Sequence, residues 1–344
     1  MREQPLASDR PLLLAHPSLD RLRRLLPLAM SVTCVGLLLM MFWGRLPAVL
    51  RTVQEANVPL LGLAILFYLL SLYVLAMRMR YVFRVFQIEQ TSNRYFLYTL
   101  IGLFFSNFLP TAMGGDLLKA SYAAGYTNRL AEAFTATFVD RGLGVLGIVV
   151  IGSAALSFHP TLHADGSLVW LAPALVAGFV AVAAVCHVDR WTDWGIRRVE
   201  RLSLASRARL PEIMRAALQL MRAPRMLLLT AALTLLSQLI ASLCLWATAE
   251  ALGIHQGFAV FLVVLPAMTV ASMVPSINGM GVREATLVAL LYGVVPEEQA
   301  LALALVFYGL ALVCSGLGGV VFLFRKPLGL RLSPRLVARF AREP

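Results

Sequence analysis

The chain has 344 residues, of which 59% are hydrophobic and 14% are charged, and its mean hydropathy is +0.78. Soluble domains usually carry about 25% charged residues, so this composition excludes a soluble fold. The formal net charge of +12 comes largely from arginines beside apolar runs, a position that fits anionic lipid headgroups and argues against nucleic acid as a partner.

Apolar runs of about 20 residues recur along the chain, and a helix of that length crosses the hydrocarbon core of a bilayer. They predict six full spans, at residues 27–44, 58–77, 131–156, 168–187, 226–250 and 298–324. Because no alternating strand pattern accompanies them, the sequence predicts an all-α polytopic membrane protein. The basic residues before the first run resemble the start of a signal peptide, but no small-residue cleavage site follows, so this run is expected to remain as a span.

Basic residues predict the orientation of these spans. They concentrate in an N-terminal segment (1–26), at Arg78, Arg80 and Arg84, in a linker (188–225) and in a tail (326–344). By the positive-inside rule these segments are cytoplasmic. Both termini are therefore expected on the cytoplasmic side of the cytoplasmic (inner) membrane.

Two further apolar segments, 95–110 and 258–275, end in prolines rather than in charged loops. With the orientation fixed, segment 95–126 must enter and return on the cytoplasmic side. Segment 258–294 must enter and return on the outer side. The sequence therefore predicts two re-entrant hairpins of opposite orientation.

A similar pattern in the two hairpins predicts an inverted repeat. Pro110-Thr-Ala-Met-Gly114 precedes Ala120 at the spacing at which Pro275-Ser-Ile-Asn-Gly279 precedes Ala285. We predict one repeat at about 58–156 and a second at about 226–324, as in many transporters. The alternative is that proline and glycine simply recur in membrane helices.

Broken backbone at membrane depth is tolerated only where it is buried in protein or lines a polar cavity. A helix that restarts near Gly115 and another near Gly281 would direct free N–H groups and positive dipole ends into such a cavity, which suits an anion. Ionisable residues nearby would each cost about 2.5–3.5 kcal/mol if they faced lipid at mid-depth. The candidate ligand-binding residues are Asn107, Pro110, Gly114, Gly115, Asp116, Lys119, Asp140, Arg141, Pro275, Asn278, Gly279, Gly281, Arg283 and Glu284.

Some of these residues have structural alternatives. Asp140 and Arg141 also fit an internal ion pair that holds helices together. Lys119 and Glu284 also fit side chains that reach toward an interface, and the asparagines also fit amides that bond between helices.

Motifs for catalysis are absent from the sequence: no nucleotide-binding loop, zinc-protease motif or nucleophile elbow occurs. His159, His163 and Asp165 flank a proline in a predicted outer loop and form a poor metal site. The four cysteines lie in or beside apolar runs without CxxC pairing and are expected in the core. We therefore expect neither an enzyme nor a bound cofactor.

Three motifs occur in order: Asn107-x-x-Pro110 with Gly114-Gly115-Asp116-x-x-Lys119, then Asp140-Arg141, then Pro275-Ser276-x-x-Gly279-x-Gly281-x-Arg283-Glu284. This order resembles the flippase-like transmembrane family that forms the membrane half of lysylphosphatidylglycerol synthases. The resemblance covers roughly residues 30–325 and implies one flippase-like transmembrane domain at 27–325. The synthase relatives continue into an aminoacyl-transferase domain that this sequence lacks, so the chain is not expected to make the lipid.

The resemblance implies translocation of an anionic or aminoacylated phospholipid, or of a polyprenyl-phosphate-linked lipid. In the leading hypothesis, Lys119, Arg141 and Arg283 bind its phosphate beside the two helix ends. The alternative is a non-transporting accessory subunit of a lipid or envelope glycan pathway. Expected partners are membrane lipids with anionic headgroups and either a lipid-synthesising enzyme or a second copy of the chain.

Overall fold

The computed structural model of the protein describes residues 46–107, 114–127, 129–157, 223–272 and 281–332. Within these ranges the chain is helical and contains no strand. The helices are α1 (Leu46–Gln54), α2 (Val58–Val85), α3 (Ser92–Ser106), α4 (Gly114–Ala123), α5 (Leu130–Ser157), α6 (Pro224–Ala251), α7 (Phe258–Ala271), α8 (Val282–Leu290) and α9 (Glu297–Leu323).

Short polar or proline signals start most of the longer helices. The Asn57 side chain accepts a hydrogen bond from the Leu60 N–H at 3.3 Å at the start of α2, and Thr91 accepts one from the Arg94 N–H at 3.4 Å before α3. Pro224 is the first residue of α6. Caps and first-turn prolines satisfy or remove N–H groups that have no partner within the helix.

Three of the described helices are long and apolar enough to cross a membrane, namely α2, α6 and α9. They correspond to the predicted spans 58–77, 226–250 and 298–324. Helix α5 corresponds to the predicted span 131–156 and has 28 residues, with Asp140 and Arg141 in its interior. The predicted spans 27–44 and 168–187 lie outside the described residues, as do the N-terminal segment and most of the linker.

Helix α2 is longer than predicted, because it continues through Arg78 to Val85. Ser71, Val74, Arg78 and Val82 are buried on one stripe of this helix. Arg78 is only 3% exposed, so its side chain lies inside the bundle and not among exposed basic residues at the end of a span. A buried partner on another helix, described below, keeps this charge inside the bundle.

The described helices on either side of the gap at 158–222 form two series of similar lengths. Helices α2 to α5 contain 28, 15, 10 and 28 residues, and helices α6 to α9 contain 28, 14, 9 and 27. Their packing matches as well: α2 packs on α6, α3 on α9 and α5 on α7, and within each series the third helix packs on the second and fourth. If α2–α5 and α6–α9 exchange places in order, the α2–α6 pair maps onto itself and the α3–α9 pair maps onto the α5–α7 pair.

The apolar core divides along the same lines. One buried cluster is drawn mainly from α6 to α9, with Ala64 of α2. The other is drawn from α2 to α5 and their connections, with Leu330 from beyond α9. Each four-helix series therefore has a core of its own, and contacts between helices of different series join the two.

Glycine allows the closest of these contacts, between α9 and α3. A Cβ added at Gly318 would overlap the Leu100 carbonyl oxygen, whereas a Cβ added at Gly316 would meet nothing within 4 Å. Small residues let helix backbones approach in this way in membrane proteins. Gly318 and Gly316 therefore provide a test position and a control position on the same helix.

We expect Gly318→Ala to lower the free energy of unfolding by about 1–3 kcal/mol, because overpacking forces the two backbones apart. Gly316→Ala serves as the control and is expected to have little effect. Thermal unfolding of the purified variants in detergent measures both. Equal losses in the two variants would contradict a close contact at Gly318.

Candidate functional site

A polar cavity of about 290 Å³ lies among helices α2 to α7. Both helix series contribute to its wall. Such a polar wall is unusual inside so apolar a protein. The polar residues that line it are Arg78, Thr99, Asp116, Lys119, Thr137, Asp140, Arg141, Ser237, Gln238, Thr269 and Ser272.

On one side of the cavity Arg78 of α2 binds Asp140 of α5. The Arg78 Nε and Nη2 groups donate to the two Asp140 carboxylate oxygens at 2.9 and 3.0 Å, and Nη2 also donates to the Asp140 carbonyl oxygen at 3.1 Å. Nη1 donates to Thr234 Oγ1 of α6 at 3.2 Å. A bidentate arginine–carboxylate pair of this kind is strong and directional. One guanidinium therefore links three helices from both series.

Asp116, in the first turn of α4, pairs with two cations. Its Oδ1 accepts a hydrogen bond from Lys119 Nζ at 3.2 Å, and its Oδ2 accepts one from Arg141 Nη1 of α5. The Arg141 side chain is 40% exposed, compared with 23% for Asp116 and 20% for Lys119. Arg141 is therefore the most accessible charge of this trio.

Gly102 of α3 makes room for the Lys119 side chain, and Gly115 of α4 lets the two helices approach closely. A Cβ at Gly102 would lie 2.5 Å from Lys119 Cε and 2.8 Å from its Cγ. A Cβ at Gly115 would overlap both the Gly102 carbonyl oxygen and Ser106 Oγ. Gly115 thus has a packing role, because it lets the start of α4 lie directly against α3.

The formal charges of the described wall leave an excess of one positive charge. Arg78, Lys119 and Arg141 are three cations, and Asp116 and Asp140 are two anions. Each of the two anions binds at least one of these cations. Arginine and lysine side chains in this arrangement can bind a phosphate or carboxylate group from a ligand.

The second helix series has different chemistry at the equivalent positions, counted from the first residue of each helix. Cys244 takes the place of Arg78, Phe307 that of Asp140 and Tyr68 that of Thr234. Tyr68 and Phe307 meet edge to face with their ring centres 6.5 Å apart. The uncharged residues Cys244, Phe307 and Tyr68 therefore stand at the positions equivalent to Arg78, Asp140 and Thr234.

The predicted residues at the start of α8 do not belong to the described wall of the cavity. Glu284 is 7% exposed, and its Oε2 accepts a hydrogen bond from the Gly281 N–H at 2.6 Å, which caps α8. Gly281 has a φ of 83°, a conformation that favours glycine. The Arg283 guanidinium carbon lies 6.0 Å from the centre of the Phe307 ring.

Asn107 ends α3, and its Nδ2 donates to Ser315 Oγ of α9 at 2.7 Å. Pro110, Pro275, Asn278 and Gly279 lie outside the described residues, so their predicted roles stay predictions. The same holds for the histidine loop at 159–165. Within the described part of the chain, no three His, Cys, Asp or Glu side chains form a group that could hold a metal ion.

Arg78 is the functional candidate that the sequence analysis missed. Its position at the end of an apolar run suggested a cytoplasmic charge. A signal was nevertheless present, because Arg78 shares a helical stripe with Ser71, Val74 and Val82, and Asp140 inside a predicted span requires a cation.

We expect Asp140→Asn to destabilise the protein by about 3–5 kcal/mol, because it leaves the Arg78 guanidinium buried without a counter-charge. Replacing both partners, as Arg78→Met with Asp140→Leu, should recover most of this loss. Glu89→Gln is the control, since it breaks an exposed pair with Arg84 on α2 worth about 0–1 kcal/mol. Unfolding midpoints in detergent measure all three, and similar losses for Asp140→Asn and Glu89→Gln would contradict a buried pair.

Comparison with known proteins identifies the family. The curated UPF0104 membrane protein PH1989 of Pyrococcus horikoshii is 24% identical over 185 residues, which are 53% of this chain and 53% of that protein. The match thus spans about half the length of that relative. No solved structure matches the chain. A family profile described as the lysylphosphatidylglycerol synthase TM region matches residues 24–319, a range that contains every residue of the cavity wall, and the chain belongs to this family.

Proposed function

We propose that the protein is a lipid flippase-like transporter that moves an anionic or aminoacylated phospholipid, or a polyprenyl-phosphate-linked lipid, across the cytoplasmic membrane. The observation that supports this most directly is the polar cavity between the two helix series, with three cations and two carboxylates in its described wall. In an apolar bundle such a wall is costly unless it serves a polar ligand. The proposal includes no chemical step by the chain itself.

The charge balance favours a phosphate group as the part of the lipid that enters. A phosphodiester carries one negative charge, which matches the single positive charge in excess. Arg141 is the accessible cation, and Lys119 lies on the other side of the same carboxylate. Asp116 or Asp140 would balance an amine where the headgroup is aminoacylated.

The two similar helix series support transport by alternating access. We propose that they form an inverted repeat, in which α3–α4 and α7–α8 are re-entrant hairpins that enter from opposite faces. Transporters with such repeats bind substrate near the middle of the membrane, between the repeats. The cavity is bounded by helices of both series, and we propose that both termini are cytoplasmic.

An accessory subunit without transport activity is the second candidate. The observation in its favour is that the carboxylates of the cavity are already paired, Asp140 with Arg78 and Asp116 with Lys119 and Arg141. A closed network of this kind also suits a static scaffold for a lipid-synthesising partner.

Transport of a headgroup-labelled anionic phospholipid in proteoliposomes separates the two candidates. We expect wild-type protein to move the lipid and Arg141→Ala and Lys119→Ala to slow it at least about tenfold, since one lost charge-assisted hydrogen bond is worth about 1.5–3 kcal/mol. Arg84→Ala removes an exposed arginine that lies outside the described cavity wall and pairs with Glu89, and it should behave as wild type. Equal, background-level movement in all four proteins would reject the transporter and favour the accessory subunit.

Cysteine labelling tests the opposite orientation of the hairpins. In a background without native cysteines, we expect Tyr292→Cys, in the connection between α8 and α9, to react with an impermeant maleimide from the outer face. Arg129→Cys, just before α5, should react only after the membrane is permeabilised. Both native side chains are exposed, and labelling of both positions from the same face would reject the inverted arrangement.

A further inference from the structure

A second, smaller cavity of about 100 Å³ lies between α4 and α5. Its lining residues are Asp116, Leu117, Phe134, Thr137, Phe138 and Arg141. Most of this wall is apolar, in contrast to the neighbouring polar cavity. We refer to the cavity that these six residues line as the side slot.

The side slot adjoins the polar cavity, because Asp116, Thr137 and Arg141 line both. The Asp116–Arg141 ion pair therefore stands at the boundary between the two spaces. Leu117 and Phe138 are 48% and 47% exposed. On the surface of a membrane helix, exposed apolar side chains face lipid, so the rim of the side slot faces the bilayer.

We infer that the side slot is the lateral portal of the transporter: the first carbons of one acyl chain lie against Leu117, Phe134 and Phe138 while the phosphate of the same lipid reaches Arg141. This inference rests on the proposed function and adds the route of entry. The ligand in this inference is an anionic lipid that enters from the bilayer, and not a phosphate compound that enters from water.

The sizes of the two spaces fit this division of one amphiphilic molecule. A water molecule occupies about 30 Å³ of the liquid, so 100 Å³ accommodates only the first few carbon atoms of a chain. The remainder of the chain stays in the bilayer. Since lipid tails are as apolar as leucine side chains, the leucine and phenylalanine side chains of the side slot can contact the first carbons of a chain in place of the bilayer.

The boundary ion pair must then open for the phosphate. Arg141 binds the Asp116 carboxylate in the described structure, and a phosphate that approaches through the side slot competes with this carboxylate for the same guanidinium. Asp116 therefore acts as a competitor as well as a counter-charge. Its neutralisation should favour the anionic ligand, whereas loss of Arg141 should disfavour it.

The test compares two probes on the purified full chain in one detergent: dioctanoyl phosphatidylglycerol and glycerophosphoglycerol, which has the same headgroup without chains. We expect wild-type protein to bind the lipid at least tenfold more tightly. Phe138→Trp should remove most of this preference by filling the side slot, and Phe138→Ala should keep it. Leu236→Trp, at a position on α6 that is 45% exposed and outside both cavities, is the matched control.

The outcomes separate the portal from the proposed function. Unchanged lipid binding in Phe138→Trp, or equal weakening of both probes in Phe138→Trp and Phe138→Ala, would overturn the portal while headgroup binding remains. Binding of both probes that is insensitive to Arg141→Ala, or no binding of either, would reject the proposed function and the portal with it. Asp116→Asn should bind both probes several-fold more tightly, and weaker binding would contradict the competition at Arg141.

Discussion

A guanidinium inside an apolar bundle must be neutralised within hydrogen-bond distance, and Asp140 does this for Arg78. The bond joins α2 to α5, and the contact of Arg78 with Thr234 extends it to α6. Because a buried charge without its partner is far more costly than the intact pair, these three helices are held in one arrangement around the polar cavity. The position of Arg141 follows, since it is the next residue of the same helix.

Adjacent residues of a helix differ in direction by about 100°, and this explains how much of the site the sequence could predict. The motif Asp140-Arg141 could be singled out from the sequence as a candidate site, and α4 and α8 begin where the glycines predict them. The partners were not predictable, because Asp140 faces Arg78 and Arg141 faces Asp116 on a different helix. Sequence position shows that a charge lies within a span, but only tertiary packing selects its partner.

The two helix series share lengths and packing partners but not chemistry. Arg78, Asp140 and Thr234, which join the two series beside the cavity, correspond by position to Cys244 and Phe307 of the second series and to Tyr68 of the first. The predicted repeat rests on proline, a hydroxyl residue, glycine and alanine at one spacing, and the residues of the ion pair do not recur in it. Backbone breaks are needed wherever these helices end within the bundle, whereas a ligand needs a charged wall on one side only.

The excess of one positive charge among the described residues of the cavity wall has an electrical consequence. A phosphodiester headgroup would offset this charge, so the described wall would be neutral with the headgroup bound and would carry one positive charge without it. Moving one elementary charge through 100 mV corresponds to about 2.3 kcal/mol. In a carrier whose cavity opens alternately to the two faces, the membrane potential would therefore act on the return of the empty protein, and the loaded step would be electrically silent.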